Sequence, residues 1–174
     1  MKELKDYIRS IPDFPKKGII FRDVTTVIQD PDGFKLAVDG LQELVEDIDF
    51  DMVVAAEARG FIFGATLAYN NHKGLALVRK KGKLPFETVG TSYDLEYGSA
   101  SIEMHKDSLK PGDKVVLVDD LIATGGTLEA SVKLIESLGA QVVKIVCVMN
   151  LPALKGEEKL AKYNVGTLVS FDGE

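Results

Sequence analysis

The run VVLVDDLIATGGT at 115–127 constrains the fold of this chain more than any other stretch. Its first four residues are apolar and mostly β-branched. A short, bounded run of that kind suits a strand buried on both faces. Two carboxylates, Asp119 and Asp120, stand where the strand is expected to end. A turn of small and hydroxyl-bearing residues follows, Ala123, Thr124, Gly125, Gly126 and Thr127, and the spacing then predicts a helix over 128–138. Ligands of open parallel sheets bind beyond the carboxyl ends of strands. A glycine-rich turn opening onto a helix N-terminus presents main-chain N–H groups and a positive dipole end, which suit a phosphate. Two acids directly before such a cradle make sense if the ligand also carries hydroxyls, as a ribose 5-phosphate does. Taken alone, the acid pair also reads as a solvated strand end and the glycines as a plain turn.

The rest of the chain alternates strands with helices. Leu4, Tyr7, Ile8 and Ile11 fall at helical spacing and predict a short amphipathic helix ending near Pro12. A turn-rich stretch at 12–18 leads to a short strand over 19–24. Asp30 and Pro31 predict a helix start, as N-cap and first helical residue, with Phe34, Val38, Leu41, Val45 and Ile48 on the buried face. Buried strands are expected at 52–56, 75–78, 142–148 and 165–171, and helices at 61–71 and 156–163. Residues 87–104 read as two strands around a turn at 95–98. Gly139 is the expected cap after 128–138. The pattern implies a single domain over 1–174, α/β, with a mostly parallel central sheet flanked by helices and an added antiparallel flap.

At 174 residues the chain is long enough for one sizeable core. Its formal net charge of −6 argues against broad, nonspecific nucleic-acid binding, which needs clustered Lys and Arg. The one cysteine, Cys147, sits in an apolar run and reads as a packed, inert thiol. An intramolecular disulfide is impossible, so nothing signals an oxidising compartment. No apolar run approaches a membrane span, and residues 1–6 carry acids rather than the apolar core of a signal peptide. A cytoplasmic protein without membrane contact is expected.

Three strand ends carry polar groups suited to one ligand. They are Glu57-Ala58-Arg59-Gly60, the basic segment Arg79-Lys80-Lys81-Gly82-Lys83, and the acid pair with its glycine turn. If the strands are parallel, all three lie on one sheet edge, where Arg and Lys can neutralise a polyanion. Singly, the basic segment also reads as a solvated loop and Arg59 as a surface residue. Dinucleotide-binding and P-loop signatures are absent from the sequence, and His72, His105 and Cys147 do not cluster as zinc ligands.

These strings resemble the type I phosphoribosyltransferases. The 115–127 run is similar to that family's motif for 5-phosphoribosyl-1-pyrophosphate (PRPP). Further strings resemble the adenine branch: Pro12-Asp13-Phe14-Pro15 with Gly18, Phe21-Arg22-Asp23, Ala58-Arg59-Gly60-Phe61, Arg79 to Pro85, Ser92-Tyr93, Leu95-Glu96-Tyr97-Gly98 and Leu154-Lys155-Gly156. Asn150 departs from the pattern, since relatives usually carry Glu there. Glu57-Ala58 stands where some members have Asp-Ser, in a loop that often contains a non-proline cis peptide.

The resemblance implies transfer of a phosphoribosyl group from PRPP to adenine N9, forming AMP and pyrophosphate in purine salvage. It implies that Ala123, Thr124, Gly125, Gly126 and Thr127 grip the 5-phosphate, and that Asp119 and Asp120 bond the ribose hydroxyls. Arg59, Arg79, Lys80 and Lys83 surround the pyrophosphate on this reading. Ile20, Phe21 and Arg22 belong to a hood (about 1–30) over the base. Glu96, on a mobile loop, is the implied acid/base at adenine N7, against the plain reading of a surface loop. Magnesium is the implied cofactor, held through PRPP and water with no direct protein ligand. A homodimer is implied because the basic segment reaches the neighbouring subunit's site. Two alternatives stay open: a salvage enzyme for hypoxanthine, guanine or xanthine, and a PRPP-binding regulator on the same fold.

Overall fold

The computed structural model describes residues 1–95 and 97–173. The chain opens with a 3-10 turn, Leu4–Tyr7, and then β1 (Arg9–Pro12), which pairs antiparallel with β2 (Ile20–Asp23). The amphipathic helix expected up to Pro12 is therefore cut short. Pro12 biases its predecessor toward extended backbone, and β2 supplies the main-chain partners that an extended 9–12 segment needs. A one-turn helix that the sequence did not announce, α1 (Thr25–Ile28), leads to α2 (Pro31–Val45). Asp30 caps α2 as expected: its Oδ1 accepts from the N–H groups of Asp32 (2.9 Å) and Gly33 (3.0 Å). On its inner face Ala37, Leu41 and Val45 are buried, while Phe34 and Val38 are half-buried; Ile48, expected on the same face, is half-buried just beyond the helix end.

The main sheet follows: β3 (Met52–Ala56), α3 (Gly60–Asn70), β4 (Gly74–Lys80), the hairpin β5 (Thr88–Asp94) and β6 (Ser99–His105), β7 (Lys114–Ile122), α4 (Gly126–Ser137), β8 (Gln141–Asn150), α5 (Gly156–Lys159) and β9 (Val165–Ser170). The strand order is β5-β6-β4-β3-β7-β8-β9. The five strands from β4 to β9 run parallel, and β6 and β5 are antiparallel. The expected flap is thus an extension of the sheet itself, joined through Arg79 and Lys80 of β4 to Glu103 and Ile102 of β6. The piece predicted over 156–163 is helical only through Lys159.

Alternation along β7 shows why its run is continuously apolar. Val116 and Val118 enter the core beneath α2 and α3, while Val115 and Leu117 enter the core beneath α4. Both faces are covered, so neither tolerates polar residues. The hood docks on the first of these layers. Tyr7 packs so closely on α2 that a Cβ at Gly33 would lie 2.8 Å from its ring. Asp23 anchors the base of the hood: Thr25 donates to it from N–H (2.9 Å) and hydroxyl (2.6 Å), and Arg9 pairs with it at 2.6 Å. The Thr25 hydroxyl first, and Arg9 after it, hold the Asp23 carboxyl below its ordinary range.

Candidate active site

The central strand β3 is shorter than both of its neighbours. Its pairing with β7 stops at Ala55–Val118, and its pairing with β4 stops at Ala56–Val78. Both neighbours continue, β7 alongside β8 as far as Ile122–Asn150 and β4 alongside β6. The acid pair therefore lies inside β7 rather than beyond its end, because β8 goes on supplying main-chain partners. A notch opens in the carboxyl edge of the sheet, with Asp119 and Asp120 on one wall, Arg79 and Lys80 on the other, and residues 57–60 as its floor. The strand order reverses direction here, which is where α/β sheets bind ligands. The notch holds a cleft of about 440 Å3, lined by Glu57, Ala58, Arg59, Lys80, the acid pair and residues 123–128.

The acid pair is tightly held. Arg59 donates from Nε to Asp120 Oδ2 at 2.5 Å, and Asp120 is only 4% exposed. The Asp120 N–H donates to Asp119 Oδ1 (2.8 Å). Burial, and then the neighbouring charge of Asp120, push the Asp119 carboxyl well above its ordinary range. Gly60, the first residue of α3, makes this crowding possible: a Cβ there would lie 2.9 Å from Asp119 Oδ1.

The turn at 123–127 closes onto α4, a 12-residue helix whose first residue is Gly126. Gly125 has φ +83°, and a Cβ on it would lie 2.8 Å from the Gly156 carbonyl oxygen. A Cβ on Gly156 would meet the Ala123 carbonyl at 2.4 Å. Two glycines thus let the start of α5 back directly against the turn. The flap reaches the same turn from the other side, where Tyr93 Oη and Thr127 Oγ1 share a hydrogen bond of 2.9 Å.

The basic segment is organised by Glu57, which opens the polar string at 57–60 expected at the end of β3. Its side chain is 9% exposed. Lys83 Nζ donates to Oε1 (2.6 Å), Arg79 Nη2 approaches the same oxygen (3.4 Å), and the Lys80 N–H donates to Oε2 (2.8 Å). Burial would raise this carboxyl, but the bonds from Lys83, Lys80 and Arg79 outweigh it and bring the pKa down to about 2. The signal available was an acid just after one buried strand and a basic run just after the next. The Glu57–Ala58 peptide is cis.

Of the expected pyrophosphate ligands, Arg59 and Lys80 line the cleft, whereas Arg79 and Lys83 converge on Glu57 at its border. The expected base-binding residues share β2 and none of the three lines the cleft itself. Phe21 has the Arg59 guanidinium 6.0 Å from its ring centre and Phe14 edge-on at 5.2 Å. Arg22 lies over the Phe171 ring (4.3 Å) and donates to Ser10 Oγ (2.5 Å). Glu96 lies outside the described residues. Its neighbour Tyr97 stacks with Lys16 of the hood loop at 5.3 Å, so the hairpin tip and the hood meet. No group of three or more metal-ligating side chains occurs among the described residues. The donor set of the acid pair suits hydroxyls better than a directly bound cation, since Asp120 is already paired with Arg59 and the Asp119 carboxyl is raised.

A parallel sheet notched at its central strand, with an acid pair and a glycine turn on one wall and cations on the other, defines the class of phosphoribosyltransferases. Residues 25–173 match the family described as phosphoribosyl transferase domain. The adenine phosphoribosyltransferase of Agathobacter rectalis is 60% identical over 174 residues, covering all of both chains. The crystal structure of the Thermoanaerobacter pseudethanolicus adenine phosphoribosyltransferase superposes with a TM-score of 0.93 at 50% identity, over 97% of this chain and 98% of that one. That of the Saccharomyces cerevisiae enzyme, solved with D-2,5-dideoxy-2,5-imino-altritol 1,6-bisphosphate and adenine, superposes at 0.89 and 39% identity, over 95% and 96%. The chain belongs to the adenine phosphoribosyltransferase family.

Proposed function

We propose that this protein transfers the 5-phosphoribosyl group of PRPP to N9 of adenine, giving AMP and pyrophosphate for purine salvage. The observation that carries the reading is the notch at β3, where a phosphate turn, a hydroxyl-binding acid pair and a set of cations share one cleft. Residues 123–127 bind the 5-phosphate through main-chain N–H groups and the hydroxyls of Thr124 and Thr127. Asp119 and Asp120 accept from the ribose hydroxyls and face the positive charge that develops at C1′. Arg59, Arg79, Lys80 and Lys83 stabilise the negative charge on the departing pyrophosphate.

In the reaction the N9 lone pair forms the bond to C1′ as the bond from C1′ to the pyrophosphate oxygen breaks, with inversion. Adenine protonated at N7 keeps the N9 lone pair free, and Glu96, the acid/base at N7, accepts that proton as the nucleoside forms. Ile20, Phe21 and Arg22 are assigned to the hood, and the approach of Phe21 to Arg59 supports that placement for the aromatic ring. Magnesium supplies charge neutralisation of the pyrophosphate when bound, through PRPP and water. A homodimer belongs to this reading, as does a single domain over 1–174 with residues 1–30 as hood. Cytoplasmic location belongs to it too, supported by the lone, buried Cys147. Among the described residues no helix is long and apolar enough to cross a membrane.

Initial rates with PRPP, magnesium and single bases test the reading. AMP formation from adenine well above IMP or GMP formation from hypoxanthine or guanine is expected. Equal or faster use of hypoxanthine contradicts the assignment, and PRPP binding without turnover of any base points to a regulator.

A further inference from the structure

We propose that Glu57 is a positioning residue that holds Lys83 and Arg79 beside one another and so sets the cationic face that the basic segment presents to the pyrophosphate of the substrate, in the neighbouring subunit's site of the dimer proposed above. The inference deepens the function proposed above and rests on it. Glu57 follows β3 directly, and its N–H still donates to the Val78 carbonyl (2.9 Å), so the residue is locked in register with β4. Its Oε2 is tied to the main chain of β4 at Lys80, and its Oε1 receives Lys83 and Arg79. The acid side chain is 9% exposed while Lys83 is 47% and Arg79 is 32% exposed. The carboxylate is therefore the fixed inner member of the cluster, and Lys83 and Arg79 approach it from the more exposed side.

The cations need such a holder. Arg79, Lys80, Lys81 and Lys83 crowd into five consecutive positions and repel one another. Gly82, at φ +88°, turns the chain so that the Lys83 N–H bonds back to the Lys80 carbonyl (3.3 Å). Arg79 Nε is buried without a partner, so the guanidinium is kept in place by Glu57 and the Phe61 face 5.9 Å away, not by a full set of its own bonds. A rival role, in which Glu57 masks the cations and competes with pyrophosphate, requires the carboxylate to leave. Its bond to the Lys80 N–H and its burial oppose that.

Calorimetry with magnesium pyrophosphate and steady-state kinetics decide the matter, on the full chain carrying Glu57→Gln, Glu57→Asp, Lys83→Gln, and the Gln pair together. Glu57→Gln is expected to weaken pyrophosphate binding and raise the KM for PRPP about tenfold, with kcat changed less than about threefold. Glu57→Asp keeps the charge and recovers most of the lost affinity. Because Glu57 acts on Lys83 as well as on Arg79, adding Glu57→Gln to Lys83→Gln costs clearly less affinity than Glu57→Gln costs on its own. If Lys83→Gln weakens binding and Glu57→Gln does not, the positioning role is overturned while the pyrophosphate reading stands. Tighter binding by Glu57→Gln overturns it in favour of masking. If Lys83→Gln leaves pyrophosphate affinity unchanged, the underlying reading of the basic segment fails and the inference falls with it. The Lys83 variant alters an exposed side chain, so this arm is readable whatever Glu57→Gln does to folding.

Discussion

Glu57 also makes a prediction about acid stability. The carboxyl falls from its ordinary 4.5 to about 2 in the folded chain. At about 1.4 kcal/mol per tenfold change in proton affinity, the ionised form is favoured by about 3 kcal/mol in the native state. That is a ceiling, because Lys83 is half-exposed and screened, and about 2 kcal/mol is the working figure at neutral pH. A depressed carboxyl contributes its stability above its unfolded value and loses it as pH falls toward its folded value. The stabilisation is therefore complete above about pH 5 and disappears progressively toward pH 2. Glu57→Gln keeps the shape and one acceptor but cannot titrate. Urea unfolding of both proteins between pH 7 and pH 3, at constant ionic strength, should show the wild type ahead by about 2 kcal/mol at pH 7 and by at most half of that at pH 3. In thermal unfolding at pH 7 this is roughly 4–8 °C. Other carboxylates titrate equally in both proteins, so the difference curve isolates Glu57. A difference that stays constant across the range means lost packing, and none at pH 7 means no net ion-pair contribution; either result contradicts a depressed Glu57.

Three further outcomes follow from the proposed function and its cleft. Asp119 is raised, so its ionised form costs stability as pH rises through its folded pKa. Asp119→Asn should therefore melt later than wild type at pH 8, while calorimetry shows weaker PRPP binding; earlier melting contradicts the burial argument. Gly125→Ala meets both a left-handed backbone and the Gly156 carbonyl, and should cost about 1–3 kcal/mol in urea unfolding together with a loss of PRPP affinity. Glu96→Gln should lower kcat by about 10²-fold or more with little change in PRPP dissociation constant, and an unchanged kcat removes Glu96 from the chemistry.

Much of the scaffold was legible in the sequence because it rests on local or periodic physics. Asp30 with Pro31 announces the start of α2, and the apolar run at 115–118 announces a doubly covered strand. Parallel strand ends bring Arg59, Lys80 and Asp120 to one edge, as their positions after apolar runs suggest. What was not legible depends on partners distant in sequence. β1 replaces a helical pattern because β2 pairs with it. β7 runs through its acid pair because β8 accompanies it. The role of Glu57 depends on Lys83, 26 residues on, reached through α3 and β4. Arg22 packs over Phe171, which comes from near the far end of the chain. Each is a tertiary contact that no spacing rule encodes.

Base choice at a PRPP site separates an adenine enzyme from its neighbours in chemistry. Equimolar adenine, hypoxanthine and guanine should be offered together to the protein with limiting PRPP and magnesium, and the nucleotides separated by chromatography. AMP as the dominant product, with pyrophosphate released in equal amount, is the predicted result. IMP or GMP in comparable yield, or PRPP left unconsumed, would contradict it.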